Sequence, residues 1–173
     1  ALATATSPST ITISDTGRFI AMGGATVPTD KITISGDGYI DFSGMAGTEN
    51  VSGSITGSRD YGQAQNVNVI GNWEVKNNAY VIIRGDFIVN ENVTVTIRAG
   101  SQIVIIGDTS KMDISGTLNI EAGASFIVAK SENTEISGTV NNNGAFYINM
   151  GTVEILEGGV VNSRGVSTDG HIY

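Results

Sequence analysis

Cysteine is absent from the 173 residues, so neither a disulfide framework nor a thiolate metal site is available, and stability has to come from packing and backbone hydrogen bonds. Proline occurs only twice, which leaves almost every backbone N–H free to join a strand ladder. Basic residues are scarce: nine Lys and Arg stand against 17 Asp and Glu, for a formal charge of -8. Nucleic-acid binding needs clustered cations to release counterions from phosphates, and no such cluster exists. The single histidine, His171, stands in a polar C-terminal stretch, where a solvent-facing role is expected rather than catalysis or metal ligation. No apolar run approaches the roughly 18 residues of a membrane span, and no stretch carries a helical period.

What the chain has in quantity is repetition. Asp113-Ile-Ser-Gly-Thr-Leu-Asn119 returns as Glu135-Ile-Ser-Gly-Thr-Val-Asn141, and Thr96–Val104 matches Asn119–Ile127. Near the start, Ile11-Thr-Ile-Ser14 matches Ile32-Thr-Ile-Ser35. Self-similarity at a period of twenty-odd residues marks a solenoid, in which each copy buries its apolar face only against its neighbours. Apolar anchors closing a first strand fall at Ile13, Ile34, Ile55, Val75, Ile97, Ile120, Val140 and Ile155. A second set follows six residues later at Phe19, Ile40, Tyr61, Val81, Ile103, Phe126, Phe146 and Val161. Turn formers such as Asn77-Asn78, Ala99-Gly100 and Ala122-Gly123 separate the two sets, giving strand, tight corner, strand.

The expected fold is therefore all-β, a single-domain parallel β-helix of about eight coils of 20–23 residues. Residues 1–9 are expected to form an extended arm free to act as a strand for a neighbour, residues 10–165 the solenoid, and residues 166–173 a polar tail. The third coil is the weakest: five glycines and few large apolar residues lie between Gly44 and Gln65, so a bulge or loop is expected there. The densest core is expected from Gln65 onward. The chain begins at Ala1 with Thr, Ser and Ala prevailing through Thr10, which reads as a secreted protein after signal removal.

No catalytic set emerges. Asp15, Asp37 and Asp60 drift against the anchors, while Glu74 and Glu154 share a phase but stand several coils apart. Outward positions beside the anchors are rich in hydroxyls, among them Thr33, Thr94, Thr96, Thr117, Thr139 and Thr152, interrupted by Lys31, Asn72, Glu74, Asn119 and Glu154. Such a stripe suits exposed strand positions in general, and it also resembles the surface of ice-binding solenoids. No cofactor is expected: the acidic turns Ser14–Gly17 and Ser35–Gly38 could supply some oxygen ligands to calcium, but Asx turns are the preferred explanation. Arg84-Gly85-Asp86 spells an integrin-binding tripeptide but falls between two apolar strand runs. Two glycosylation sequons begin at Asn50 and Asn92, both expected at corners.

Phrases such as Ser115-Gly-Thr-Leu-Asn-Ile-Glu-Ala-Gly-Ala124 resemble the parallel β-helix proteins of microbial surfaces: adhesin stalks, autotransporter passenger domains, and filament or sheath subunits. That resemblance covers nearly the whole chain and singles out no one family. It implies a right-handed coil with three short strands per turn and a non-catalytic structural role outside the cell. A solenoid end exposes unpaired backbone groups unless a cap covers it, and no amphipathic cap is legible. Self-assembly through Thr10, Ile11, Thr12 and Ile13 at one end and Val160 and Val161 at the other is thus expected, with further copies of the chain as partner. A surface module that binds cell-surface glycan or ice is the alternative.

Overall fold

A computed structural model describes residues 11–13, 17–20, 32–34, 39–42, 46–62, 64–108 and 110–164. These form a parallel β-solenoid in which strands pair with the counterparts one turn before and after. The chain visits three faces in rotation. Face 1 takes β10 (Thr94–Ile97), β13 (Thr117–Ile120), β16 (Thr139–Asn142) and β19 (Val160–Ser163), while β1 (Ile11–Ile13) and β3 (Ile32–Ile34) form a two-stranded parallel sheet of their own. Face 2 takes β2 (Arg18–Ile20), β4 (Tyr39–Phe42), β6 (Ser58–Tyr61), β8 (Tyr80–Ile83), β11 (Gln102–Ile106), β14 (Ser125–Lys130) and β17 (Ala145–Ile148). Face 3 takes β9 (Phe87–Val89), β12 (Lys111–Ile114), β15 (Asn133–Ile136) and β18 (Thr152–Ile155). Two long strands, β5 (Ala46–Ile55) and β7 (Ala64–Val75), run through a corner unbroken, so that each serves face 3 with its first half and face 1 with its last residues.

Among the described residues about five complete three-strand turns stack in this way, where eight coils were expected from the anchors. The difference lies at the ends. Strands β1 and β3 pair with each other but with no third strand among the described residues, and β19 only opens a further turn. The expected arm and tail lie outside the described residues. The third coil carries its expected bulge, a register shift between Val51 and Gly53, but it is strand rather than loop.

Inside, alternation holds through the middle of the chain. Val81, Ile83, Val95, Ile97, Ile103, Ile105, Leu118, Ile120, Phe126 and Val128 are all fully buried, each with an outward neighbour between. Aromatic rings gather along the core: Trp73 to Phe87, Phe87 to Phe126 and Phe126 to Phe146 at centroid distances of 6.5, 5.8 and 5.7 Å, within the favourable range for tilted pairs. Toward the N-terminal turns the interior becomes polar. Arg59 is 5% exposed opposite Val81, its Nη1 donates to Tyr61 Oη at 3.4 Å, and its Nε has no partner among the described residues. Burial pushes the Tyr61 phenol upward, opposed by the neighbouring Arg59 charge.

The register corrects four of the expected anchors. Ile120 stands opposite Asn142 rather than Val140, whose partner is Leu118. Ile155 belongs to face 3 opposite Ile136, and Val161 to face 1 opposite Val140. Val81 stands opposite Arg59, while Tyr61 pairs with Phe42. For Val140, Ile155 and Tyr61 a polar residue, Asn142, Ser163 or Arg59 respectively, holds the column that the apolar anchor was expected to fill.

Corners explain the repeated Ile-Ser-Gly-Thr. The corner from face 3 to face 1 brings successive turns so close that a Cβ at Gly138 would lie 2.0 Å from Gly116 O and 2.6 Å from Ser115 O. At the corner from face 1 to face 2, Gly100 has φ +80 and Asn78 has φ 60, the left-handed region that glycine and asparagine enter most easily. Gly138→Ala is expected to lower stability by about 1–3 kcal/mol, because the obstructing atoms are backbone and cannot rotate away. An unchanged denaturant midpoint for that variant would show the inter-turn contact to be looser than this geometry.

Candidate functional site

Because residues stack in register, each outer face carries rows of side chains one turn apart, and the three faces differ in chemistry. Face 1 is hydroxyl and amide. Thr94, Thr117 and Thr139 form one row, followed by Val160. The adjacent row reads Glu74, Thr96, Asn119, Asn141, Asn162. Its amides are bonded to one another: Asn141 Nδ2 donates to Asn119 Oδ1 and Asn162 Nδ2 to Asn141 Oδ1, both at 2.9 Å. A second amide row, on face 3, crosses β5, β7 and the corner after β9, with Asn68 donating to Asn50 at 3.1 Å and Asn90 donating to Asn68 at 2.9 Å. Stacked amide ladders of this kind reinforce in-register parallel strands.

Face 2, from β8 onward, is apolar inside and carries one apolar row outside. Ile82, Val104, Ile127 and Tyr147 make an outward row, and Val104 is only 8% exposed. Face 3 is acidic, with Asp113, Glu135 and Glu154 in one row. Asp113 accepts from Ser115 Oγ at 2.6 Å and Glu135 from Asn133 Nδ2 at 2.8 Å, so each carboxylate is oriented by a neighbour two residues away. Among the described residues no three His, Cys, Asp or Glu side chains converge as metal ligands would.

Of the expected stripe, Thr94, Thr117 and Thr139 come together in one row and Thr96 lies in the next. Thr152 does not belong to it, since it stands on face 3 opposite Asn133. Thr33 pairs with Thr12 on the separate two-strand sheet. Glu74 and Glu154, expected to share a phase, lie on different faces. Asn92 does sit at a corner, with φ 61, and is exposed. Asn50 does not: it lies within β5, its carbonyl engaged by Asn68. Within Arg84-Gly85-Asp86, Arg84 grips Asp60 through two bonds of 2.9 and 3.0 Å, while Asp86 Oδ1 accepts from the Lys111 N–H. Thr10, His171 and the acidic turns except Gly17 lie outside the described residues.

No family model, curated protein or solved structure matches this chain. The functional reading therefore rests on surfaces and ends.

The amide ladders were not foreseen from sequence, because alternation treats Asn119 as an interruption of threonines. Their signal is the recurrence of Asn at 119, 141 and 162, which becomes visible once the register is known. The outward apolar row had a plainer signal: Tyr80-Val-Ile-Ile83 and Ile103–Ile106 are continuous apolar runs, which mean a strand apolar on both sides.

The rim of face 1 holds an ion-pair group. Glu74 accepts from Lys76 at 2.7 Å and from Arg98 Nε at 2.6 Å, and Arg98 also reaches Glu121 across the next turn. The Lys76 and Arg98 bonds hold the Glu74 carboxyl below its ordinary value near 4.5. A carboxylate with a depressed folded-state pKa stabilises above its unfolded value, and that contribution is lost as pH falls through the folded value. The effect is small, because solvent screens the group. Glu74→Gln is expected to melt slightly below wild type at neutral pH, with the gap closing below the carboxylate range. A gap that persists in acid would remove this ion pair as its cause.

Proposed function

We propose that this chain is a secreted structural subunit that self-assembles through its solenoid ends and terminal strands into an extracellular filament, tube or sheath, with further copies of itself as the partner. The proposal includes no catalysis. The observation that carries it is the C-terminal end of the described solenoid. The outer edges of β17, β18 and β19 have no strand partner among the described residues. Apolar groups that close the core one turn earlier stand open here: Ile155 is 49% exposed where its register partner Ile136 is fully buried. Phe146, Ile148, Val153 and Val161 pack on the core but remain partly accessible. An edge of this kind offers a template for another chain, and each backbone bond it gains contributes about 0.5–1.5 kcal/mol net. Secretion is supported only by the likeness to microbial surface solenoids.

Placing a charge in either terminal strand, by Ile11→Lys or Val161→Lys, is expected to cut the assembled fraction at least ten-fold while leaving the circular dichroism of the monomer unchanged. Negative-stain microscopy and sedimentation supply the readout. Wild-type protein that stays monomeric at high concentration would sink the proposal, as would variants that polymerise like wild type.

The Thr94, Thr117 and Thr139 row favours a second reading, a surface module that binds glycan or ice through face 1. On that reading, Thr117→Lys abolishes glycan retention or thermal hysteresis without altering the fold; retention equal to wild type would remove it.

A further inference from the structure

The amide ladder on face 1 has a direction. Asn162 gives a hydrogen to Asn141 and Asn141 gives one to Asn119, so in every rung the later turn donates and the earlier turn accepts. The ladder through Asn90, Asn68 and Asn50 runs the same way. At the last rung the Asn162 oxygen, which in the earlier rungs receives the following turn, accepts no hydrogen bond among the described residues. Beside it Val161 extends the inward column of Trp73, Val95, Leu118 and Val140, all but fully buried, yet Val161 itself is only partly covered. A groove of about 740 Å³ wraps this end of the sheet, its walls including Asn141, Asn142, Val161, Asn162 and Ser163.

A strand that fills this edge must therefore be parallel, must offer an apolar residue opposite Val161, and must offer a hydrogen-bond donor opposite Asn162. Strand β1, Ile11-Thr12-Ile13, has that order. It takes a parallel in-register neighbour on one edge, with Ile11 opposite Ile32 and Thr12 opposite Thr33, and its other edge has no partner among the described residues. We infer that the edge of β19 receives β1 of a second copy, with Ile11 opposite Val161 and Thr12, a residue type that can donate, opposite Asn162. This inference rests on the assembly reading and gives it a polarity and a register. Joining two C-terminal ends would instead set two Asn162 oxygens against each other, so the ladder selects head-to-tail growth, the heterologous contact that produces open filaments. The third position contributes less: Ser163, which receives a 3.3 Å bond from Asn142 Nδ2, would face Ile13 and bury little apolar surface.

The test uses the absence of native cysteine. Parallel neighbours lie about 4.8 Å apart, inside the Cα span of about 4.4–6.8 Å that a disulfide bridges. Full-length chain carrying Thr12→Cys is mixed with chain carrying Asn162→Cys, assembled, oxidised and run on a non-reducing denaturing gel. A covalent dimer at least ten-fold more abundant than with Thr12→Cys and Glu154→Cys, which places the second thiol on face 3, is the expected result. Polymers that form without that preference would overturn the register while leaving assembly intact. Wild-type chains that form no polymer would overturn both. Should a cysteine variant fail to fold, the nearly isosteric Thr12→Val keeps the inference testable: it raises the concentration needed for assembly several-fold, combining it with Asn162→Leu adds nothing further, and an unchanged concentration would overturn the proposed pairing of Thr12 with Asn162.

Discussion

Everything in this molecule depends on the parallel ladder that holds each residue opposite its counterpart one turn away. The backbone bonds of that ladder run along the axis, so a side chain's closest neighbours are those at the same phase before and after it. Like therefore meets like. Thr117 meets Thr139, Asn119 meets Asn141, and Phe126 meets Phe146, each a favourable contact. The same rule also imposes costs. Glu135 is set between Asp113 and Glu154, and two backbones approach so closely at Gly116 and Gly138 that no side chain fits between them. Favourable rows and unfavourable ones are products of one constraint, and the chain tolerates the second to keep the first.

The sequence made the ladder legible where inward positions were apolar and hid it where they were not. The repeat from Asp113 to Asn141 falls in register, Asp113 opposite Glu135 and Asn119 opposite Asn141. The match of Thr96–Val104 with Asn119–Ile127 does the same. The reading failed at Asn142 and Ser163, polar residues in an inward column otherwise made of Val75, Ile97 and Ile120. A rule that seeks the next apolar residue moves two places back to Val140 and then leaps to Ile155 on another face. Arg59 defeats the same rule at the other end. The candidate site was less legible than the fold, because an outward row exists only after register is known. Asn162 and Asn119 are 43 positions apart in the chain and two turns apart in the molecule.

Three faces of one coil thus carry hydroxyls and amides, apolar groups, and carboxylates. Among the described residues, like groups are spread along lines that face outward. Such a surface suits contacts that repeat along the axis.

Strands β5 and β7 give the rod an uneven mechanical character. Tension along the axis pulls directly on the interstrand hydrogen bonds, and most turns have corners at which one face can peel away before the next. Where β5 lies on β7 the pairing spans two faces, with a register shift between Val51 and Gly53, and more backbone bonds must part there than between any two short strands. Pulled from its ends, the molecule yields from the short-stranded turns first and holds longest at this clasp, which leaves a partly unravelled subunit still anchored around Val51, Val69 and Trp73.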